Sequence, residues 1–244
     1  MAEPKPDKDP LVGQVVDGRY RIVARLSEGG MGVVYRAEHV FLKRDVALKR
    51  LHPELTGHGE VVARFEREAQ AAARIDHPNV CSVLDCGVGE DGALYVAMEL
   101  LEGASLEARI VEAAPLPLPE IVDVAVQICD ALGRAHDLGV VHRDLKPENV
   151  MLVPRREGGM TAKIMDFGIA KVVAQSGASA KSTATVGTPL YMAPEQVQGR
   201  SDLIDGRTDI WAMGVVLYEM LTGQLPFPGM NYNQVILKIT SGTY

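Results

Sequence analysis

The chain alternates apolar and polar residues early and switches to helical spacing later. Tyr20, Ile22, Ala24 and Leu26 fall on every second position, the period of a half-buried strand. A glycine cluster follows, then Val33–Ala37 and Asp45–Lys49 as two more strand-like runs. Glycines between such runs predict an antiparallel hairpin. From Gly59 to Arg74 the period changes: Val61, Phe65, Ala72 and Ile75 form one stripe of a helix that Pro78 ends. Val80–Leu84 and Ala93–Met98 read as two further strands. Beyond Leu101 the pattern is helical. Ile121, Val124, Ile128, Leu132 and Ala135 mark a helix over Glu120–His136, with Pro115–Pro119 as a stiff connector that also starts it. Arg207–Thr222 carries Ile210, Trp211, Met213, Val215, Val216, Leu217, Met220 and Leu221. It is apolar nearly all round, which predicts a buried core helix. Another helix is expected near Asn231.

These elements predict an α+β chain: a β-rich part with a five-stranded antiparallel sheet and one helix, then a mainly helical part. A cleft between two such parts is a usual place for a ligand. The expected divisions are a solvated tail over 1–19, a β-rich lobe over 20–101 and a helical lobe over 102–244. The tail is expected because Met1–Pro10 is charged and proline-rich, with no apolar core.

Composition narrows the function classes. The 244 residues carry a formal charge of −7, which argues against nucleic acid as a partner because phosphate backbones need a basic face. Cys81, Cys86 and Cys129 show no paired metal-ligand spacing. An odd count without a leader suggests a reducing compartment. No apolar run approaches the ~20 residues of a membrane helix. A cytoplasmic location is expected, with room for an anchor after residue 244.

The chemistry concentrates in His142-Arg143-Asp144-Leu145-Lys146-Pro147-Glu148-Asn149 and in Asp166-Phe167-Gly168. Each lies beside short apolar runs, Val140–Val141 and Val150–Val153 for the first, Ile164–Met165 for the second. Two carboxylates and an amide at strand mouths can bind a divalent metal and orient a hydroxyl. Lys49 closes an apolar strand. Glu68 sits within the apolar stripe of the first helix, where a carboxylate needs a cationic partner to offset its desolvation; Lys49 is the candidate.

With these residues the chain resembles the protein kinases, most closely the Ser/Thr kinases of eukaryotic type found in bacteria, from about Tyr20 to its last residue. The resemblance implies transfer of the γ-phosphoryl group of ATP, with Mg²⁺ or Mn²⁺, to Ser or Thr of protein substrates. Leu26, Ser27, Glu28, Gly29, Gly30, Met31, Gly32 and Val34 match the glycine-rich loop over the phosphates, with Ser27 where the family usually has glycine. Lys49 and Glu68 match the ion pair that positions the α- and β-phosphates. Val34, Ala47 and Met151 match the apolar plates around adenine; Met98, Glu99 and Leu101 match the hinge. Asp144 matches the catalytic base, Lys146 the charge neutraliser, and Asn149 and Asp166 the metal ligands. Gly187–Glu195 resembles the peptide-binding stretch, and Asp209 the residue that braces the catalytic loop.

Ser182, Thr183 and Thr185 are implied phosphorylation sites, whose phosphates could pair with Arg143. Dimerisation would serve phosphorylation in trans. The helical lobe reads as incomplete, without the later helix whose arginine pairs with the glutamate matching Glu195. The alternative reading is a catalytically weak or inactive kinase-like module that binds and regulates partners.

Overall fold

A computed structural model describes residues 9–30, 32–52, 59–167 and 189–242. The described residues form two compact units. One comprises those up to Glu66 together with Val83–Leu100; the other comprises Arg67–Ser82 and those from Leu101 onward.

The first unit is built on one antiparallel sheet. Its strands are β1 (Val15–Val16), β2 (Tyr20–Gly29), β3 (Gly32–His39), β4 (Arg44–Leu51), β5 (Val83–Val88) and β6 (Leu94–Glu99), in the order β1-β2-β3-β4-β6-β5. Helix α1 (Gly59–Ala73) follows β4 in sequence. The sheet has six strands where alternation predicted five, and the extra one lies inside the expected tail. Val15 and Val16 pair with Arg21 and Tyr20 across a turn in which Asp17 and Gly18 both have positive φ, 51° and 61°. Asp-Gly suits such a backbone, and its twist matches that of paired strands.

The segment is then pinned by polar groups. Arg19 donates to Asp85 Oδ2 at 2.6 Å and to the Tyr95 hydroxyl at 2.7 Å, and also pairs with Asp17. Tyr20 donates to Asp85 Oδ2 at 2.8 Å and Tyr35 to Asp9 Oδ2 at 3.0 Å. The Tyr95 hydroxyl, which donates to Asp17 Oδ2 at 2.6 Å, and the Arg19 guanidinium hold the Asp17 carboxyl below its usual range. Residues 9–19 are therefore part of the fold and not of a solvated tail.

The predicted strand over Val80–Leu84 also shifts. Val80 makes an isolated parallel bridge with Ile164, and β5 begins at Val83.

The pleat gives the sheet two unlike faces. Tyr35, Ala37, Val46, Leu48, Tyr95 and Ala97 join Val16, Tyr20 and Ile22 in one core. The register puts Val34 and Val96 opposite Lys49, and Met98 opposite Ala47, on the other face.

The second unit combines a small antiparallel sheet with helices. Strands β7 (Ala104–Ser105), β8 (Val150–Pro154) and β9 (Met160–Ile164) lie in that order. The helices are α2 (Leu106–Ala113), α3 (Leu118–Asp137), α4 (Pro194–Val197), α5 (Gly206–Thr222) and α6 (Tyr232–Ser241). Ile121, Val124, Ile128, Leu132 and Ala135 are all buried on α3, as their spacing predicts. Helix α5 departs from the prediction. Ala212, Met213, Val215, Val216 and Met220 are buried, but Ile210 is 57% and Leu221 45% exposed. The helix packs against α3 along one side, so its outer row of apolar residues faces away from that contact. Asp205 caps its start by accepting from the Arg207 N–H, and Gly223, at φ 70°, ends it. Among the described residues no helix is long and apolar enough to cross a membrane.

Candidate functional site

The central loop of the second unit is held from below by one buried carboxylate. Asp209 lies in the first turn of α5 and has no exposed surface. Its Oδ2 accepts from the His142 N–H at 2.9 Å, and its Oδ1 from the Arg143 N–H at 2.8 Å. His136 Nε2, from the last turn of α3, donates to Oδ2 at 2.7 Å. A buried carboxylate is tolerable only with such a full set of donors.

His142 is the second anchor. Its Nε2 lies 2.7 Å from the Met165 carbonyl, and the Asp144 N–H donates to its Nδ1 at 3.2 Å. A carbonyl can only accept and an amide N–H can only donate, so the ring is neutral and carries its proton on Nε2. It packs edge-on against Phe167, with ring centroids 4.6 Å apart. The ring thus ties the backbone around Asp144 to the backbone before Asp166.

Two residues here have left-handed backbone without being glycine: Arg143 at φ 69° and Asp166 at φ 62°. Each costs of order 1 kcal/mol and persists only where its surroundings impose it. For Arg143 the imposing groups are those that bond its N–H and its carbonyl.

Asp144 is oriented by Asn149, whose Nδ2 donates to the Asp144 carbonyl at 2.7 Å and to its Oδ2 at 3.1 Å. With the amide nitrogen so engaged, the Asn149 Oδ1 is left as an acceptor. Lys146 Nζ stands 3.6 Å from Asp144 Oδ2. Asn149 closes a short 3-10 turn, and its carbonyl accepts from the Met165 N–H at 2.9 Å. Val150 pairs with Ile164 across β8 and β9, so the ladder sets Asn149 beside Met165, one residue from Asp166.

This donor set suits a hard cation. An amide oxygen and a carboxylate are oxygen ligands of the type Mg²⁺ takes, usually with phosphate and water completing the shell. Among the described residues no three His, Cys, Asp or Glu converge on one point. A dedicated all-protein cage is not part of this arrangement, and Asn149 with Asp166 offers a partial one.

In the first unit, Lys49 is 8% exposed, and it shares a face with Ala47, Val34 and Met98. Gly29 and Gly32 pair at the end of the β2–β3 hairpin. A Cβ on Gly32 would lie 2.0 Å from the Arg50 carbonyl oxygen, so this strand can approach β4 only with glycine there. The Gly29 carbonyl accepts from His52 Nε2 at 3.1 Å. Ser27 sits opposite Val34 just after a register shift in β2, and the hairpin is intact around it. Leu26 is exposed, and Glu28 pairs with Arg25 at 2.8 Å. Glu99 ends β6 and Leu101 follows it.

Glu68 lies on α1 at the edge of the buried stripe, which runs through Phe65, Ala69 and Ala72 and leaves Glu68 half-buried. Met151, half-buried on β8, pairs with Ser105 and Lys163. Met31, Gly168, Ser182, Thr183, Thr185 and Gly187 lie outside the described residues. Glu195, whose family arginine partner has no match in the sequence, accepts at Oε1 from the Thr208 hydroxyl at 2.5 Å. Sequence reasoning assigned no role to His136, His142, Gln196 or Thr208. Only His142 carried a signal, its place directly before Arg143-Asp144.

A further half-buried pair joins the segment before α4 to α5. The Tyr191 hydroxyl donates to Glu219 Oε2 at 2.7 Å. Burial pushes the Glu219 carboxyl up, the Tyr191 bond opposes this, and nearby Glu148 and Glu107 push it further up. A carboxyl raised in the fold favours folding below its unfolded value, near about 4.3, and loses that contribution as pH rises through the folded one. Glu219→Gln keeps an acceptor for Tyr191 and removes the charge. Its melting temperature should exceed that of the parent by on the order of 2 °C at pH 7. The difference should vanish near pH 4, as thermal unfolding at the two pH values would record.

A carboxylate aimed by an amide, beside a second carboxylate on a strained turn, can align a hydroxyl with a cation-bound phosphate. Such an arrangement is chemically suited to phosphoryl transfer. Residues 20–243 match the protein kinase domain family, and the chain belongs to it. It is 45% identical over 225 residues to the serine/threonine-protein kinase pkn3 of Myxococcus xanthus, covering 91% of this chain and 41% of that protein. It is 47% identical to Pkn1 of the same organism, with coverage of 90% and 31%, and 38% identical to PrkC of Bacillus subtilis, with coverage of 93% and 34%. The chain thus spans well under half the length of these relatives. Among solved structures, a mutant kinase domain of PknI from Mycobacterium tuberculosis aligns with a TM-score of 0.72 at 30% identity. That alignment covers 93% of this chain and 81% of that one. The fold is the two-lobed α+β fold of this family, and the relatives place the chain among the bacterial Ser/Thr kinases of eukaryotic type.

Proposed function

We propose that this chain is a Ser/Thr protein kinase domain that transfers the γ-phosphoryl group of ATP to protein hydroxyls. The observation that carries the reading is the pair of bonds from Asn149 Nδ2 to Asp144. They aim the Asp144 carboxylate and leave the Asn149 oxygen for a cation. Asp144 orients the acceptor hydroxyl and receives its proton as the bond to γ-phosphorus forms and the bond to the leaving ADP oxygen breaks. Lys146 offsets charge on the moving group. Asn149 and Asp166 would hold Mg²⁺ or Mn²⁺, which supplies charge neutralisation at the phosphates. By resemblance to the family, Lys49, Glu68 and the segment 26–32 are the groups assigned to the phosphates. Val34, Ala47 and Met151 cover adenine, while Met98, Glu99 and Leu101 meet its edge. The first protein substrate is a second copy of the chain, modified at Ser182, Thr183 or Thr185. The setting is the cytoplasm.

Incubation with γ-labelled ATP and Mg²⁺ should label the protein, and ATP should raise its melting temperature more with Mg²⁺ than with a chelator. Asp166→Asn should remove most of the Mg²⁺-dependent part of that rise and lower labelling at least a hundredfold. An unlabelled parent with an intact melting shift would select the other reading, a nucleotide-binding regulatory module. The serine at position 27 in the glycine-rich loop favours that alternative.

A further inference from the structure

We infer that Gln196 is a positioning residue for Asp144, linking the end of the peptide-binding stretch to the strained peptide before the catalytic carboxylate. The inference rests on the kinase reading above and adds to it a residue that no sequence motif singled out.

Gln196 lies on α4 directly after Ala193-Pro194-Glu195. Its side-chain amide is used at both ends. Oε1 accepts from the Ala193 N–H at 2.9 Å, and Nε2 donates to the Arg143 carbonyl at 2.8 Å. That carbonyl and the Asp144 N–H are the two ends of one peptide group. The N–H is bonded to His142 Nδ1 at 3.2 Å. The group joining Arg143 to Asp144 is therefore held from opposite sides, by Gln196 at oxygen and by His142 at nitrogen.

The residue just before this group needs such restraint. Arg143 has φ 69°, a conformation that a residue with a Cβ leaves readily when nothing opposes it. Asp209 fixes its N–H, at 2.8 Å. Gln196 is the side chain that fixes its carbonyl. Rotation of that peptide would swing the Cα of Asp144, and with it the carboxylate that Asn149 aims. Because Oε1 is tied to Ala193, a change in the path of the peptide-binding stretch is passed to Arg143 through one side chain. Correct seating of the stretch and correct aim of Asp144 are thereby coupled.

The chemistry predicts which substitutions matter. Gln196→Glu keeps the acceptor for Ala193 but sets a carboxylate oxygen against the Arg143 carbonyl, acceptor facing acceptor. Gln196→Met keeps length and bulk and makes neither bond. In a purely structural role, activity would follow stability, and the variant with the lower melting temperature would be the less active. In a positioning role, Gln196→Glu is the less active whichever variant melts first, because it pushes the peptide away rather than merely releasing it.

The test measures kcat, the KM for ATP, melting temperature and amide hydrogen exchange in the parent and both variants. Expected are a fall in kcat of about tenfold for Gln196→Met and more for Gln196→Glu, and a KM for ATP within about twofold of the parent. Exchange at the Asp144 amide should be at least tenfold faster in both variants. Parent-like kcat with an equally protected Asp144 amide would overturn the inference, as would Gln196→Met proving the less active of the two variants. A parent without transferase activity would refute the kinase reading instead. The exchange measurement alone would then decide the role of Gln196: faster exchange upholds it, unchanged exchange removes it.

Discussion

Asp144→Asn should lower phosphoryl transfer by about a thousandfold while leaving the fold and nucleotide affinity nearly unchanged. The substitution is isosteric. Its amide can turn its oxygen toward Asn149 and so preserve the contact that Asp144 makes at 3.1 Å. The other end then presents an NH₂ group where an acceptor hydroxyl would find a carboxylate oxygen. That NH₂, in the place of Oδ1, cannot take the proton, and the oxygen kept toward Asn149, the one 3.6 Å from Lys146 Nζ, no longer carries a charge to attract it. Loss of a positioned general base costs about 10²–10⁴-fold, and the middle of that range is expected here. Rates with γ-labelled ATP, the KM for ATP and a melting curve check each part. A residual rate within tenfold of the parent would remove Asp144 from the chemistry.

Asp209→Ala should be the most damaging substitution to the fold of the second unit. It strips the acceptor from the His142 and Arg143 N–H groups and from His136 Nε2 in a place without solvent. Leaving several buried donors unpaired costs roughly 3–5 kcal/mol, or a fall of about 10 °C in melting temperature for a chain of this size. The effect reaches chemistry as well, since nothing then holds Arg143 at φ 69° from its N–H side. Thermal unfolding should show the shift, and transfer per folded molecule should fall with it. Asp209→Asn should be intermediate in stability, because one oxygen still accepts while the new NH₂ faces an N–H. A shift under about 2 °C for Asp209→Ala would contradict this account.

The sequence showed much of this architecture wherever local pattern and tertiary demand agreed. The stripe on α3 is buried as its spacing requires, and β2, β3, β4 and β6 appear where alternation puts them. Failures occurred where a short local signal was outweighed by composition. Asp17-Gly18 after two valines is a strong hairpin signal, but the charged, proline-rich residues before it suggested a tail. Helix α2 is only eight residues long, too short for its period to stand out, although Ser105 caps it by accepting from Ala108 at 3.1 Å. At Val80 an apolar run looked like a strand start, and long-range pairing with Ile164 took it instead.

The site divides in the same way. Asp144, Lys146, Asn149 and Asp166 stood out in the sequence because their chemistry is in their side chains, and the structure brings Asn149 and Lys146 to the Asp144 carboxylate. The left-handed turns at Arg143 and Asp166 were not, since non-glycine residues give no local sign of positive φ. Nor was the bridge from Gln196 to Arg143, which spans two segments far apart in sequence.

The two-faced sheet of the first unit has a consequence for how this protein can change. Leu48 belongs to the aromatic core, and Ala47 and Lys49 on either side of it point the other way. Deleting one residue within Arg44–Lys49 would invert that parity, placing an ammonium group in the aromatic core and a leucine on the opposite face. Gly32, against the Arg50 carbonyl, ties the same parity to closure of the hairpin. Length variation among descendants of this chain should therefore gather in the exposed Phe41–Leu42 connection and spare the strand beside it.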